Sequence, residues 1–387
     1  MKAILSLLFI CIISVSGFCQ QEGLPQQGEE APNQTEDEGA IIRKKAEDAI
    51  KKAEEAMGCM GNSGKLTDAV SQAAVPEEAV PWMVKAVEDE SQGRLQDAIS
   101  DCKEVVQLIP QESLCWFYLA SLFKKTEQYQ EALDAYSKIL DFEPGNFEAR
   151  FQRGSLYQRQ GVYDKAMADV SDVIRWHADC ASAYSLRSRL YDLMGDYDKA
   201  IADADRAIQM NPKDLDAHLT RGFAYLQVKN YDGAVQDLTE GLKLTPNDGY
   251  ALGHRAAAFS KLGKYKEALA DLVRASELEG KAGIFEAPAA DVLNSLAWLL
   301  ATCPDSAVRN GEKATEYVSR ALKLDPDRWQ LWDTRAAVFA ENGDFGNAVR
   351  WEERCLGQKD FSEAERSRME ERLALYRAEK PYREQAK

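Results

Sequence analysis

Small residues recur at one fixed interval over most of this chain of 387 residues. Six alanines follow one another at a spacing of 34 residues, and no member of the series is missing. Prolines, tyrosines and glycines form three further series with the same spacing. Four independent series with one period indicate stacked copies of a single structural unit, so the chain is a solenoid and not two or three ordinary domains. The series are Ala98, Ala132, Ala166, Ala200, Ala234 and Ala268; Pro110, Pro144, Pro212 and Pro246; Tyr129, Tyr163, Tyr197, Tyr231 and Tyr265; and Gly93, Gly161, Gly195 and Gly263.

Each period has the pattern of two helices joined by a turn. In residues 221–246 a polar turn at Lys229–Asp232 separates two stretches whose apolar residues follow helical spacing. Where glycine occupies this turn, as Gly195 does, it can take the left-handed conformation that ends the first helix. The proline ends the second helix. Alanine is expected where the two helices cross, because only a small side chain permits close approach. The apolar residues of this period are Phe223, Leu226, Val228, Ala234, Leu238, Leu242 and Leu244.

The period resembles the tetratricopeptide repeat (TPR), which has small residues at the eighth and twentieth positions and proline at the thirty-second. The resemblance covers about four-fifths of the chain and implies an all-α TPR solenoid of about eight helix-turn-helix repeats in a right-handed superhelix with a C-terminal capping helix. Matching residues of the first helices are Trp116, Leu119, Ala120, Gly154, Tyr157, Gly222 and Tyr225. With Ala79 as the first position, six repeats span 79–112, 113–146, 147–180, 181–214, 215–248 and 249–282.

The last quarter of the chain departs from this register. An insertion at 283–294 precedes two further repeats over 295–362, which Ala314 and Ala348 place. Cys303-Pro304 is expected to end one first helix early and to lengthen the following loop. Residues 363–387 are predicted to form a capping helix and tail, with a polar outer face. The stretch from LAWLLATCPD to LYRAEKPYRE resembles the terminal module of secreted and periplasmic bacterial TPR proteins.

The N-terminal segment has the layout of a secretory signal peptide. Lys2 precedes an uncharged apolar run, which small residues and then glutamines follow, so residues 1–19 are expected to be removed during export. The alternatives are an uncleaved membrane anchor and a lipid-modified Cys19, the second disfavoured by the bulky Phe18. Residues 20–40 are predicted to be an acidic disordered spacer, and 41–78 a helix with a glycine-rich connector. The predicted location is therefore extracytoplasmic, either periplasmic or secreted.

Motifs for chemistry are missing from the sequence. The three histidines show no metal-binding spacing, and His218 and His254 follow the repeat register, which favours packing roles. The cysteines show no CxxC pattern, and buried free thiols are expected at Cys102 and Cys355. We therefore predict no cofactor, no metal and no enzymatic activity. The net charge of -16 disfavours nucleic acid as a partner.

One charge pattern allows two interpretations. Arginine recurs at the seventh repeat position and aspartate at the twenty-third, in the same four successive repeats. The arginines could form a ladder that binds an acidic ligand, or each could pair with an aspartate inside the fold. Opposite charges that recur together favour internal pairing. The residues are Arg153, Arg187, Arg221 and Arg255, with Asp169, Asp203, Asp237 and Asp271.

The resemblance to TPR proteins also implies a concave groove lined by positions 2, 5, 9, 12 and 13 of the first helices. Five of the residues at these positions are basic and three are acidic, which predicts a groove more positive than the rest of the chain. The clamp that TPR proteins use for chaperone tails is missing, because Phe117 and Ser121 stand where it needs lysine and asparagine. The predicted partner-binding residues are Phe117, Lys124, Lys125, Phe151, Arg159, Arg189, Leu219, Phe223, Leu226, Tyr250 and Lys261.

These observations predict a non-catalytic scaffold for protein–protein interaction. Its partner is expected to be a protein or peptide segment that is apolar with acidic flanks. The alternatives are an envelope assembly factor within a membrane-associated complex and a regulatory subunit of a partner enzyme. Phenylalanines at groove positions could also pack between repeats and never contact a ligand.

Overall fold

The structure is a computed structural model that describes residue 76 and residues 78–278, 289–358 and 361–384. The predicted signal peptide and acidic spacer lie outside the described residues, as do nearly all of 41–78 and the first half of the predicted insertion. The described residues divide into two compact units between Leu190 and Tyr191. We call them unit 1 and unit 2 and describe each by itself.

The described part of the chain is all-α and contains no strand. Its seventeen helices build a TPR solenoid, as the sequence predicts. They are α1 (Val80–Ser91), α2 (Leu95–Leu108), α3 (Ser113–Lys125), α4 (Tyr129–Phe142), α5 (Phe147–Arg159), α6 (Tyr163–Trp176), α7 (Ala181–Leu193), α8 (Tyr197–Met210), α9 (Leu215–Gln227), α10 (Tyr231–Leu244), α11 (Gly249–Lys261), α12 (Tyr265–Glu277), α13 (Ala289–Thr302), α14 (Gly311–Leu324), α15 (Trp329–Glu341), α16 (Phe345–Leu356) and α17 (Glu363–Arg377).

One backbone geometry ends most first helices. Gly195 has a φ of 80°, and the amide of the next residue, Asp196, donates to the carbonyl of Tyr191 over 2.9 Å. This is a Schellman turn, in which a left-handed residue closes the last helical turn. The prediction for Gly195 is confirmed. The same position is left-handed in six further repeats, although Glu127 and Lys229 replace glycine at two of them.

Small residues permit the close packing of each helix pair. The alanines of the twentieth repeat position are fully buried, as Ala234 and Ala268 show. A Cβ atom added to Gly222 would lie 2.9 Å from Leu238 Cγ, which is too close for two carbon atoms. These contacts confirm that the periodic small residues lie where helices pack together, and they explain why the period tolerates so little variation there.

The pair α13 and α14 differs from the sequence prediction in its register. Helix α13 begins at Ala289, so the predicted insertion boundary at Asn294 lies inside a helix. The helix keeps 14 residues and ends at Thr302, and a long loop of residues 303–310 precedes α14. The helix ends directly before Cys303-Pro304 and the following loop is longer, both as predicted, but the helix keeps 14 residues because it begins earlier. Ala297 is the fully buried small residue of α13 and therefore marks the repeat register of this helix. Ala314 marks only the register of α14.

Helix α17 covers the end of unit 2. Its buried face contains Met369, Leu373 and Tyr376, while most of its other residues are charged. Arg372 donates to Asp333 over 3.0 Å and to Glu352 over 3.3 Å, so one guanidinium ties α17 to α15 and α16. Burial and the nearby Asp333 raise the pKa of Glu352. The predicted capping helix is therefore present and is held by polar as well as apolar contacts.

Candidate functional site

The periodic arginines pair with the periodic aspartates inside the fold. Arg153 donates two hydrogen bonds of 2.8 Å to Asp169, and Arg255 donates bonds of 2.7 and 2.8 Å to Asp271. Arg221 pairs with Asp237 in the same way, over 2.6 Å. The aspartates are nearly inaccessible to solvent. Internal pairing is confirmed for these three repeats. Arg187 belongs to unit 1 and Asp203 to unit 2, and their pairing stays a prediction.

Each of these arginines also reaches the preceding helix pair. Arg153 donates to the hydroxyl of Ser137 over 3.0 Å, and Arg255 donates to that of Thr239 over 3.1 Å. One guanidinium therefore joins three helices and has few donors left for a ligand. The arginines are structural elements of the repeats and do not form a ligand-binding ladder.

His218 has a similar packing role. Its ring is buried and lies 3.2 Å from an oxygen of Asp237 and 3.1 Å from the carbonyl oxygen of Pro212. The hydrogen bond to Asp237 raises the pKa of His218. Trp116 and Trp332 occupy the same repeat position, and their indole groups bond to the equivalent proline carbonyls. This position therefore supplies a donor for the carbonyl that ends the preceding helix pair.

In unit 1, the two predicted phenylalanines belong largely to the core. Phe117 is half-buried and packs edge-to-face on Tyr136, with 5.9 Å between ring centroids. Phe151 is half-buried against the apolar cluster of α6 and α7. The interpretation that phenylalanines at these positions pack within the repeats is the better one for this pair.

The basic residues of unit 1 differ in how far they are already paired. Lys125 forms an ion pair of 2.5 Å with Glu90, a residue that the sequence count left out. Lys124 bonds only weakly to Gln152, over 3.4 Å. Burial lowers the pKa of Lys124, nearby Glu148 raises it, and Arg159 lowers it. Arg159 is exposed, and its guanidinium carbon lies 4.9 Å from the centroid of the Tyr129 ring. Lys124 and Arg159 are thus the basic pair on this surface.

In unit 2, the prediction that Leu219 lines the groove is wrong. Leu219 is only 7% exposed and belongs to the core. A Cβ atom at Gly241 would lie 2.6 Å from Leu219 Cδ2, so the leucine fills the space that this glycine leaves open. Leu219 therefore supports α10 and is not available to a partner.

Four residues of α9 and α11 form what we call the aromatic surface: Phe223, Leu226, Tyr250 and His254. The ring centroids of Phe223 and Tyr250 are 5.2 Å apart, and that of His254 lies 4.7 Å from Phe223 and 4.2 Å from Tyr250. Tyr250 is 43% exposed, although it takes part in this cluster. The surface thus presents rigid rings that are already in contact and still reachable from solvent. His254 was missed because its position is not a TPR groove position.

Carboxylates border the aromatic surface. Burial raises the pKa of Asp192 to about 6. Burial also raises the pKa of Tyr250, and Asp192 and Asp291 raise it further. Burial lowers the pKa of His254, which favours the neutral form of its ring. The aromatic surface therefore presents neutral rings with carboxylates at its border.

The remaining predicted residues are Arg189 and Lys261. Arg189 is half-buried on α7. Lys261, at the end of α11, forms an ion pair of 3.1 Å with Glu384 from the C-terminal segment. With Lys125 also paired to an acid, the positive charge of the predicted groove is smaller than the count over five repeat positions indicates.

Five cysteines of the described residues are buried free thiols, and they include Cys102 and Cys355 as predicted. Within the described ranges, no group of three or more His, Cys, Asp or Glu side chains could hold a metal ion. None of the helices that the structure describes is long and apolar enough to span a membrane.

Sequence comparison matches residues 124–190 and 193–258 of the chain to the family described as "Tetratricopeptide repeat". No curated protein matches the sequence. Among solved structures, a tetratricopeptide repeat protein from Parabacteroides merdae is 17% identical with a TM-score of 0.46, covering 78% of this chain and 100% of that protein. MamA from Desulfovibrio magneticus is 20% identical with a TM-score of 0.41, covering 45% of this chain and 98% of that protein.

Proposed function

Because the chain is a tetratricopeptide-repeat protein, we propose that it is a non-catalytic scaffold that binds a segment of a partner protein on its first helices. Proteins of this architecture serve in general as platforms for protein–protein interaction. The observation that supports a specific site is the aromatic surface of unit 2. Three rings in mutual contact, one of them 43% exposed, are the anchors that such recognition uses.

The arrangement of the rings favours binding over packing as their role. Phe223 is half-buried beneath Tyr250 and His254, so it fixes the orientation of both. A preorganised aromatic pair loses little conformational entropy when a partner side chain packs on it. The neutral His254 adds a third ring without adding charge. The proposed partner segment is therefore apolar where it meets this surface.

We further propose that the partner also carries acidic residues, and that unit 1 by itself binds them. Lys124 and Arg159 of unit 1 support this, because Lys124 makes only a 3.4 Å hydrogen bond to Gln152 and Arg159 is exposed beside the Tyr129 ring. Burial and Arg159 disfavour the charged form of Lys124 while Glu148 favours it, and an incoming carboxylate would favour the charged form further. Such charges would mainly raise the association rate.

Partner capture with matched variants tests the proposal. Tyr250→Ala should weaken binding by about 2 kcal/mol, the loss typical of an aromatic anchor, with a smaller change in stability because Tyr250 is 43% exposed. Partners are captured from an extracytoplasmic fraction and identified by mass spectrometry, and affinity for the identified partner is then measured. Val228→Ala is the control, since Val228 is 42% exposed and lies outside the aromatic surface. Equal capture by both variants would contradict the proposal.

Export is a separate proposal that rests on the N-terminal sequence. The charged Lys2 and the apolar run that follows support a signal peptide, and hence a periplasmic or secreted scaffold. An envelope assembly factor in a membrane-associated complex, or a regulatory subunit of an enzyme, would use the same aromatic surface. N-terminal sequencing of the mature protein should give a start between Gly17 and Gln21. A cytoplasmic protein that keeps Met1 would contradict export.

A further inference from the structure

The chain continues beyond its capping helix and lies against unit 2. Helix α17 ends with a left-handed residue, Glu379 at a φ of 55°, and the amide of Lys380 donates to the carbonyl of Leu375 over 2.9 Å. Residues 381–384, which we call the C-terminal segment, then run across α13 without secondary structure of their own. All four are partly buried.

The segment supplies hydrogen bonds that the end of α13 lacks. The last four carbonyls of a helix have no partner within it. In α13 the first two of these carbonyls accept from residues of the following loop. The carbonyl of Ala301 accepts from the guanidinium of Arg383 over 3.2 Å, and that of Thr302 accepts from the amide of Glu384 over 2.9 Å. The segment therefore binds a helix end through its backbone as well as its side chains.

Side chains give this contact its selectivity. The carboxylate of Glu384 accepts from Lys261 Nζ over 3.1 Å and from Trp298 Nε1 over 3.2 Å. The ring of Tyr382 lies 5.9 Å from that of Trp298, between centroids. Arg383 pairs with Glu341 of α15. The segment thus contacts the first helices of three successive pairs, which is how an extended peptide would lie on a repeat surface.

The apolar core of α13 and α14 contains no side chain of the segment. Ala297 and Leu300 are buried in that core among other helix residues. Trp298 stays half-buried even with the segment in place. Tyr382 also packs against the apolar cluster around Tyr376, and its ring centroid lies 5.6 Å from the guanidinium carbon of Arg372. Because the segment has no secondary structure and all four of its residues are partly exposed, it can open locally without global unfolding.

We propose that the end of α13, with Lys261 and Trp298, is a second peptide-binding site that the C-terminal segment occupies in cis. Its ligand in trans is an extended protein segment with an aromatic residue two positions before an acidic one. Because the segment is joined to α17, its effective concentration at the site is on the order of millimolar, so it excludes weaker external peptides. The site therefore opens only when the segment is displaced.

A labelled peptide tests this site in the full-length protein. The probe is a fluorescein-labelled peptide with the sequence of residues 378–387, AEKPYREQAK, and binding is followed by fluorescence anisotropy. The opened variant carries Tyr382→Ala and Glu384→Ala. It should bind the peptide at least about tenfold more tightly than the unmodified protein does, because the internal competitor is weakened. Trp298→Ala in the opened variant should remove that binding, as should replacing the glutamate of the peptide by alanine.

Controls keep the outcomes separate. Lys380→Ala, at an exposed residue just before the segment, should bind the peptide as the unmodified protein does. If the opened variant melts early, Glu384→Gln is the milder replacement and should show the same direction of change. Equal binding by opened and unmodified proteins, or no binding by a folded opened variant, would overturn the inference. Tyr250→Ala should leave peptide binding unchanged, so failure here is distinct from failure of the proposed function.

Discussion

Unit 1 and unit 2 place their aromatic residues at different positions of the same repeat. In unit 1, Phe117 and Phe151 occupy the fifth position, where both pack against the core. In unit 2 the fifth position holds Leu219, which is buried, and the ring of that repeat lies four residues later at Phe223. One helical turn therefore separates a ring that stabilises its repeat from a ring that faces the exposed Tyr250.

The residue that follows the small packing residue shows the contrast most clearly. In unit 2, Phe223 follows Gly222 and Trp298 follows Ala297, and each ring contacts a side chain from another element. In unit 1 serine holds the equivalent position of two repeats, as Ser155 does after Gly154. The same repeat position thus carries a ring in two repeats of unit 2 and a hydroxyl group in two repeats of unit 1. The repeat position determines the direction in which a side chain points. The residue type at that position determines which chemical group a partner would contact.

Replacing Phe117, the packed ring of unit 1, gives the largest expected loss of stability. If stability did not fall, the contrast between the two units would be wrong. Phe117→Ala should lower the stability of its repeat by about 2–3 kcal/mol, less than for a fully buried ring because Phe117 is half-buried. Hydrogen exchange at the amides of α3 and α4 measures this loss where it occurs, since repeats contact only their neighbours. Partner capture should be unchanged. A stable variant that loses its partner would place Phe117 among the binding residues.

The period of the sequence predicts whatever depends on contacts within one repeat. The left-handed Gly195, the pairing of Arg153 with Asp169 and the burial of Ala234 all follow from it. Each of these contacts recurs at a fixed separation in the sequence, so a contact inferred in one repeat predicts the same contact in the next. The prediction of helices over 79–278 is accurate for the same reason.

Features that do not recur could not be predicted in this way. Leu219 looked like a groove residue because nothing in its own helix shows that Gly241 leaves room for it. Lys261 looked like a free charge because its partner Glu384 is 123 residues away. The register of α13 differs from the prediction because Ala314 and Ala348, which place the last two repeats, both lie in second helices. Contacts between distant, unrepeated residues decide the charge and shape of the candidate sites.

The acidic border of the aromatic surface gives a prediction of intermediate size. Burial raises the pKa of Asp192 from 3.8 to about 6, so the folded protein binds a proton that the unfolded chain releases. Stability should therefore fall as pH rises from about 4 to about 6 and should then level off. Asp192→Asn should remove this decline and raise the free energy of unfolding at pH 7.5 by about 1 kcal/mol, after allowance for partial exposure. Urea titrations of both proteins at pH 4, 5, 6 and 7.5 measure the difference. Parallel pH profiles would contradict it.

The two turns without glycine give the smallest prediction and compare the units directly. Glu127 of unit 1 and Lys229 of unit 2 hold φ angles of 60° and 63°, a conformation that costs an L-residue about 1–2 kcal/mol. Replacement by glycine removes this strain. It also increases the entropy of the unfolded chain, which lowers the stability by about 0.5–1 kcal/mol and offsets part of the gain. Glu127→Gly and Lys229→Gly should therefore each stabilise the protein by less than about 1 kcal/mol.

The two gains should be equal, because the turn has the same geometry in both units even though their surfaces differ. Gly195→Ala is the matched control, and it should destabilise by about 1 kcal/mol, since alanine must enter the conformation that glycine adopts freely. Thermal melts of the three variants measure these differences on one scale. A gain at Glu127 without one at Lys229 would mean that Lys229 makes a stabilising contact that offsets its backbone strain, and the two units would then differ in their turns as well as in their surfaces.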